Sequence, residues 1–175
     1  MATRSRGWRI AVCALVCSSL GQVSARAQDA ESAQQPVFRL ERSKNSKVVQ
    51  YDVRIGSDGR ARAEDPITAY WLREDGSTAR LTRLQWIAYG FKARCSQSCD
   101  VVTLEMKAPV GRRIRVRWVD GRYRAETEIA GQPAVIQRIY IKSTERRFLW
   151  PRVDYIDFAG TDIATGAALE ERYEP

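Results

Sequence analysis

Two cysteines separated by three residues are the side chains in this sequence best suited to covalent or redox chemistry. Cys95 and Cys99 form this C-x3-C pair. A pair at this spacing serves either as a structural disulfide or as a redox-active dithiol. Redox dithiols usually lie at a helix N-terminus, whereas residues 91–94 and 100–102 have the pattern of strands, which favours a structural disulfide. Closing so short a loop stabilises the fold by about 2 kcal/mol.

This chain lacks the residues that many common catalytic sites require. The sequence contains no histidine, which excludes Ser-His-Asp and Cys-His nucleophile systems and histidine-based zinc sites. It also contains no glycine-rich phosphate loop and no S-x-x-K motif. Asp154 and Asp157 fall on opposite faces of a predicted strand, which argues against paired carboxylates there. We therefore predict no catalytic residue, no metal site and no cofactor, and a hydrolase that uses only carboxylates remains an alternative.

Arginines alternate along residues 112–119, the first half of the clearest predicted hairpin. Asp120-Gly121 favours a two-residue turn, which fixes the register of the two strands. The like charges of Arg117 and Arg124 then face each other, which makes these two residues the candidates for binding an anion, whereas a solvated charge ladder is the favoured interpretation of the stripe. The predicted cross-strand pairs are Trp118 with Tyr123, Val116 with Ala125, Ile114 with Thr127, Arg115 with Glu126, Arg113 with Glu128, and Arg117 with Arg124.

Aromatic residues recur along the predicted strands and the predicted helix. If the sheet closes on itself, they line a cavity for an apolar or amphipathic ligand, and the arginines lie near an anionic head group of that ligand. The alternative is that the aromatic side chains form the hydrophobic core. The predicted ligand contacts are Arg117, Arg124, Tyr70, Trp71, Tyr89, Trp118 and Tyr123, with Trp86 in the same aromatic set.

The first 27 residues predict the route of the protein rather than its chemistry. A basic start with three arginines precedes an apolar run at 10–20 and an A-x-A cleavage site that ends at Ala27. This layout predicts a signal peptide cleaved after Ala27, and hence a periplasmic or secreted protein. The apolar run is too short to span a bilayer. A lipid anchor at Cys13 or Cys17 and an uncleaved N-terminal anchor are the alternatives.

Cleavage changes what the composition implies. It leaves 148 of the 175 residues, and it removes four arginines and no acidic residue, so the net charge falls from +8 to +4. So small an excess does not favour nucleic acid as a partner. We expect a flexible segment at 28–36 and a single β-rich domain at 37–175, with no membrane span after cleavage.

The remaining pattern predicts a mainly β (α+β) fold. About nine short strands are separated by turn residues, and one amphipathic helix is predicted at about 79–89, with Gly90 at its C-cap. Leu81, Leu84 and Ala88 share one helix face, with Ile87 beside them, and we expect this face to pack on the sheet. Because β-α-β alternation is absent, we expect an antiparallel sheet that is strongly curled or closed as a β-barrel.

Several short segments, taken in order, resemble a bacterial family of short exported proteins catalogued as domain of unknown function forty-eight thirty-three. The resemblance covers residues 37–172 and implies a bacterial envelope protein, but it carries over no catalytic residue. The matching segments are FRLERSK at 38–44, Asn45, VQY at 49–51, PITAYW at 66–71, Leu81-Thr82, Ala88-Tyr89-Gly90, RAE at 124–126, VDYID at 153–157, GTD at 160–162 and Thr165-Gly166.

Three functions are consistent with these features. The first is a non-catalytic envelope domain that binds a small apolar, amphipathic or anionic ligand. The second is a structural or adaptor protein that contacts another envelope component. The third is the carboxylate-based hydrolase.

Overall fold

The computed structural model describes residues 33–43, 48–107, 112–146 and 149–175. The predicted signal peptide therefore lies outside the described residues. Contacts between residues group 31–175 as one compact unit. The first strand begins at Gln34, so the end of the segment predicted to be flexible belongs to the sheet.

Eleven strands and one helix make up the described chain. The helix α1 is Arg83–Tyr89. The strands are β1 (Gln34–Arg42), β2 (Val48–Arg54), β3 (Ile67–Leu72), β4 (Thr78–Arg80), β5 (Phe91–Cys95), β6 (Val101–Met106), β7 (Arg113–Val119), β8 (Arg122–Ile129), β9 (Gln132–Arg146), β10 (Leu149–Asp162) and β11 (Ala168–Tyr173).

The long strand β9 joins all parts of the sheet. Its residues 132–135 pair with β8 and its residues 138–141 pair with β1, while β10 pairs along most of its length. Since β10 pairs with one edge of β9, β8 and β1 both pair with the other edge of β9, one after the other along its length. Two four-stranded arms extend from that shared edge: the first arm is β1–β4 and the second arm is β5–β8.

The sheet differs from the predicted one in three respects. It has eleven strands rather than about nine, partly because residues 78–80 form the short strand β4. It is mixed rather than purely antiparallel, since β1 pairs with β9 in parallel. The prediction of a strongly curled or closed sheet is not confirmed, because among the described residues the strand order ends at β4 and β5, which do not pair.

Helix α1 connects these two terminal strands and contacts both arms. The Tyr51 hydroxyl on β2 donates to the backbone oxygen of Tyr89, at 2.8 Å. The Tyr89 ring packs edge-on against Trp71 of β3, with centroids 5.1 Å apart. The ring of Tyr51 also contacts Phe91 of β5. The helix therefore packs where strand pairing would have closed a barrel.

The helix is shorter than predicted, and the prediction for its apolar face is only partly confirmed. Ala88, and Leu81 just before the helix, pack against the core as predicted. It begins at Arg83 because Thr82 and Gln85 form a capping box. Leu84 is 73% exposed and Ile87 is 55% exposed, so the prediction that they pack on the sheet is wrong. Gln85, which lies between them in the sequence, faces inward instead. Its side chain accepts a hydrogen bond from the indole of Trp71 at 2.9 Å.

The core lies between the two arms and against β9 and β10. Alternate residues of each strand point into it, as the period of two requires. Tyr51 and Phe38 stack within it, with ring centroids 4.5 Å apart. The fully buried side chains include Leu40, Val49, Tyr51, Val53, Ile67, Leu104, Ile114, Ile129, Ile136, Ile139, Ile156 and Phe158.

The β7–β8 hairpin confirms the register predicted from its turn. Asp120 and Gly121 both have positive φ, at 50° and 80°, as a type I′ turn requires. Trp118 pairs with Tyr123 and, two residues earlier, Val116 pairs with Ala125. A local turn signal was therefore sufficient to align the second arm at this position.

Gly90 is required by a close approach rather than by its backbone angles, because its φ of −68° suits any residue. A Cβ at this position would lie 2.2 Å from the backbone oxygen of Trp86, whereas one at Gly56 would approach only a side-chain tip at 3.0 Å. We expect Gly90→Ala to lower the free energy of unfolding by about 1–3 kcal/mol in urea titrations. Gly56→Ala is the matched control and is expected to change it by less. Equal effects of the two substitutions would contradict this account of α1.

Candidate functional site

The cysteine pair closes the turn between β5 and β6. The Sγ atoms of Cys95 and Cys99 are at disulfide distance, with their Cα atoms 4.8 Å apart. Neither residue lies at a helix N-terminus, since Cys95 ends β5 and Cys99 lies in a turn with a φ of 52°. This position has the character of a structural link rather than of a reactive dithiol.

Tyr123 joins the cysteine turn to the first arm. Its hydroxyl donates to the backbone oxygen of Cys99 at 2.7 Å and accepts from the backbone N–H of Ala61 at 2.8 Å. The side chain of Gln35 bonds both backbone groups of Tyr123. Burial raises the pKa of the Tyr123 hydroxyl. Through these hydrogen bonds, the buried Tyr123 links the two arms.

The other predicted aromatic contacts do not converge on one cavity. Trp71 and Tyr89 pack together beside α1, whereas Trp118 packs against Tyr123 in the second arm, with centroids 5.0 Å apart. Arg60 also stacks on Trp118, 4.5 Å from its ring centre. Tyr70 precedes Trp71 on β3 and therefore faces away from the core.

The two arginines predicted to bind an anion each have a carboxylate partner. Arg117 and Arg124 do face each other across the hairpin. Arg117 lies 3.3 Å from Glu126, and Arg124 lies 3.2 Å from Asp120. Diagonal pairing therefore relieves the repulsion that motivated the prediction.

The outer face of the first arm carries a buried carboxylate. Asp52 is only 2% exposed. The Tyr70 hydroxyl, a diagonal cross-strand neighbour, donates to Asp52 Oδ2 at 2.6 Å. Burial raises the pKa of Asp52, and the Tyr70 hydroxyl and the nearby Gln50 amide oppose this rise. Burial and the bond to Asp52 also raise the pKa of Tyr70.

An open groove of about 710 Å³ lies above this pair, and we call it the Tyr70 groove. The volume falls within the range of small-molecule sites. Its wall is formed by Arg54, Thr68 and Tyr70 on the outer face of β2 and β3, by the whole of β4 and by the start of β1. The lining residues are Ala33, Gln34, Arg54, Thr68, Tyr70, Thr78, Ala79 and Arg80.

Two buried polar atoms beside the groove have no hydrogen-bond partner among the described residues. They are Asp52 Oδ1 and Arg54 Nε. The other nitrogens of Arg54 bond Asp65 at 2.5 Å and Thr68 at 3.3 Å. Asp52 and Arg54 lie two residues apart on β2 and share its outer face. Arg60, Asp100 and Arg124 also carry such atoms, so what distinguishes Asp52 and Arg54 is that theirs lie beside an open groove.

A second open groove, of about 440 Å³, lies along the predicted arginine stripe. Arg113, Arg115 and Arg117 line it, but so do Glu126 and Glu128. Its charges are therefore largely compensated within the groove. The Tyr70 groove has no carboxylate on its lining and two arginines, of which Arg54 is paired with Asp65 and Arg80 has no carboxylate partner among the described residues.

The described part of the chain lacks two further features, a metal-binding cluster and a membrane-spanning helix. No cluster of three or more His, Cys, Asp or Glu side chains there is arranged to hold a metal ion. The described helices also include none with the length and apolar character of a membrane span.

A family model matches most of the chain. The model of the family described as Domain of unknown function (DUF4833) matches residues 38–172. The chain belongs to the DUF4833 family. No curated protein and no solved structure matched it. The matched region of this DUF4833 domain includes both arms and the Tyr70 groove, apart from Ala33 and Gln34.

The cysteine pair gives one test of its structural role. We expect the double variant Cys95→Ser/Cys99→Ser to lower the free energy of unfolding by about 2 kcal/mol, the chain-entropy value for so short a loop. A thiol reductant is expected to lower the stability of the native protein to the same level and to leave the variant unchanged. Native protein that keeps its full stability after complete reduction would contradict a structural link.

The buried carboxylate gives a test through pH. Because the pKa of Asp52 is raised above its ordinary value of 3.8, the folded protein binds the proton more tightly than the unfolded chain. Stability from this group is therefore fully present below that value and is lost as pH rises through the folded pKa. In urea titrations from pH 3.5 to 7, Asp52→Asn is expected to gain stability relative to the native protein with rising pH, by up to about 1.4 kcal/mol per pH unit.

The non-titrating neighbour Thr68 supplies the matched control. Thr68→Val is expected to differ from the native protein by an amount that does not change with pH. A pH-independent difference for Asp52→Asn would mean that Asp52 is not the buried carboxylate described above.

Proposed function

We propose that this DUF4833 protein is an exported protein of the bacterial envelope and that it acts as a non-catalytic binding domain. The signal-peptide pattern of residues 1–27 supports export, and the cysteine pair at disulfide distance is consistent with an oxidising compartment. Its ligand site is the Tyr70 groove.

The observation that carries this proposal is the pair of unsatisfied buried atoms under the groove, Asp52 Oδ1 and Arg54 Nε. A fold that needed only stability would gain from an apolar residue in place of the buried Asp52, because burying a charged group is costly. Perturbed carboxylates in concave sites are more often functional than those elsewhere. Asp52 acts as a positioning residue that holds the Tyr70 hydroxyl.

The hydrogen bonding of the groove indicates the class of ligand. The Tyr70 hydroxyl donates a hydrogen bond to Asp52. The lone pairs of its oxygen are therefore left to accept a hydrogen bond from a ligand hydroxyl. Arg80 has no carboxylate partner among the described residues, and Thr68 and Thr78 add hydroxyl donors. Guanidinium and hydroxyl groups suit phosphate or carboxylate oxygens. The ligand is therefore a small anion that also carries hydroxyl groups.

The proposed ligand is anionic, as the sequence suggested, but its proposed site lies elsewhere in the fold. The anionic group remains, but Arg80 takes the role first given to Arg117 and Arg124. An apolar or amphipathic ligand is less well supported, because the aromatic residues predicted to surround it, Trp71 and Tyr123 among them, pack in or against the core. A two-carboxylate hydrolase has no support here, since the groove lining carries no carboxylate.

Calorimetric titrations with glycerol phosphate, inorganic phosphate and glycerol test this proposal. We expect glycerol phosphate to bind most tightly, since it alone supplies both an anion and hydroxyl groups. Tyr70→Phe is expected to weaken glycerol phosphate about tenfold, the cost of one lost hydrogen bond, and to leave phosphate binding within about twofold. Arg80→Gln is expected to weaken both ligands about tenfold.

Arg122→Gln is the matched control, because Arg122 is an exposed arginine of the second arm. It is expected to leave all three titrations unchanged. Because Arg80 is also exposed, Arg80→Gln tests the groove even if Tyr70→Phe unfolds. Binding that is equally weakened by Arg122→Gln, or no binding of either anion, would overturn the proposal.

A further inference from the structure

A half-buried arginine lies where three elements meet at one end of the core. Arg42 ends β1 and shares a strand face with the buried Phe38 and Leu40, so it lies on the core side of the sheet. Its Nη1 atom donates to the Tyr89 hydroxyl of α1 at 2.7 Å, and its Nη2 atom donates to Ser143 Oγ of β9 at 3.3 Å. Among the described residues, its guanidinium bonds these hydroxyl groups and no carboxylate.

The two hydroxyl groups on this guanidinium are left with protons to donate. Arginine can only donate hydrogen bonds, so both oxygens accept from Arg42 and each hydroxyl keeps its own proton for another partner. Neither proton has an acceptor among the described residues. Tyr89 and Ser143 are only 6% and 5% exposed, and a buried donor without an acceptor is costly. The three side chains therefore form a set of donors that lacks an acceptor, and we call it the Arg42 site.

The fold holds these donors in place. The Tyr51 hydroxyl bonds the backbone oxygen of Tyr89, and the Trp71 ring packs edge-on against the Tyr89 ring. Ser43 Oγ accepts from the backbone N–H of Ser143 at 3.2 Å and donates to its backbone oxygen at 3.4 Å. An acceptor that enters the Arg42 site would therefore meet groups that are already oriented, which lowers the entropic cost of binding.

We propose that the Arg42 site binds the carboxylate of a small organic acid. A carboxylate supplies through its two oxygens the acceptors that the guanidinium and the hydroxyl groups lack. Its single negative charge matches the one guanidinium of the site. Phosphate would bring further charge near neutral pH, which a half-buried site would leave uncompensated.

The Arg42 site is separate from the Tyr70 groove. Tyr70 and Trp71 are neighbours on β3, so their side chains lie on opposite faces of the sheet. The groove lies on the face of Tyr70, whereas Trp71 packs beside Tyr89 of the Arg42 site. The Trp71 ring therefore offers an apolar surface to the remainder of the acid.

An NMR titration of the whole amide-labelled protein with sodium acetate tests this proposal. We expect saturable shifts at the amides of Ser43, Tyr89 and Ser143, and weaker binding of inorganic phosphate there at the same ionic strength. Arg42→Gln is expected to weaken acetate at least about tenfold, and Tyr89→Phe about fivefold, the cost of one lost hydrogen bond. Because Tyr89→Phe and Ser143→Ala remove only a hydroxyl group, they test the site even if Arg42→Gln unfolds.

Matched controls lie away from these donors. Tyr173→Phe removes the hydroxyl group of an exposed tyrosine on β11, and Arg122→Gln removes an exposed arginine; both are expected to bind acetate as the native protein does. Glycerol phosphate is expected to shift the Tyr70 amide equally in the native protein and in Arg42→Gln, which separates this site from the proposed function. An absence of saturable shifts with acetate, tighter binding of phosphate at the same amides, or unchanged acetate binding by Tyr89→Phe and Arg42→Gln would overturn the proposal.

Discussion

The pairing of two strands with one edge of β9 is the constraint on which the rest of the structure depends. Residues 132–135 of β9 hold β8 and residues 138–141 hold β1, so the two arms begin side by side and extend from the same edge. Their inner faces then bury one core, in which Tyr51 of the first arm contacts Phe91 of the second. Because β4 and β5 do not pair with each other, the connection between them carries the helix α1 instead of a hydrogen-bond ladder.

This arrangement also determines where chemistry is available. The inner faces are filled with apolar side chains, so a ligand site must lie on an outer face or at an end of the core. The outer face of the second arm balances its arginines with glutamates, whereas that of the first arm holds a buried carboxylate beside a groove in which Arg80 has no carboxylate partner among the described residues. The Tyr70 groove and the Arg42 site are therefore two separate consequences of one topology.

Local signals in the sequence were sufficient for the β7–β8 register, the cysteine turn and most strand positions, since turn residues and alternation act over a few residues. The parallel pairing of β1 with β9 joins distant segments and leaves no local signal. Asp52 lies on the polar face of an alternating strand, and its burial depends on Tyr70 from another strand. The side of α1 that faces the core was partly misassigned because a polar residue, Gln85, bonds Trp71 there.

An NMR titration of the amide-labelled protein with glycerol phosphate tests most directly whether the outer face of the first arm, with its Asp52–Tyr70 pair, is the ligand site. We predict saturable shifts at the amides of Thr68, Tyr70 and Arg80, and none in the second arm. Shifts confined to the arginine groove of β7 and β8, or to the aromatic residues of the core, would contradict it.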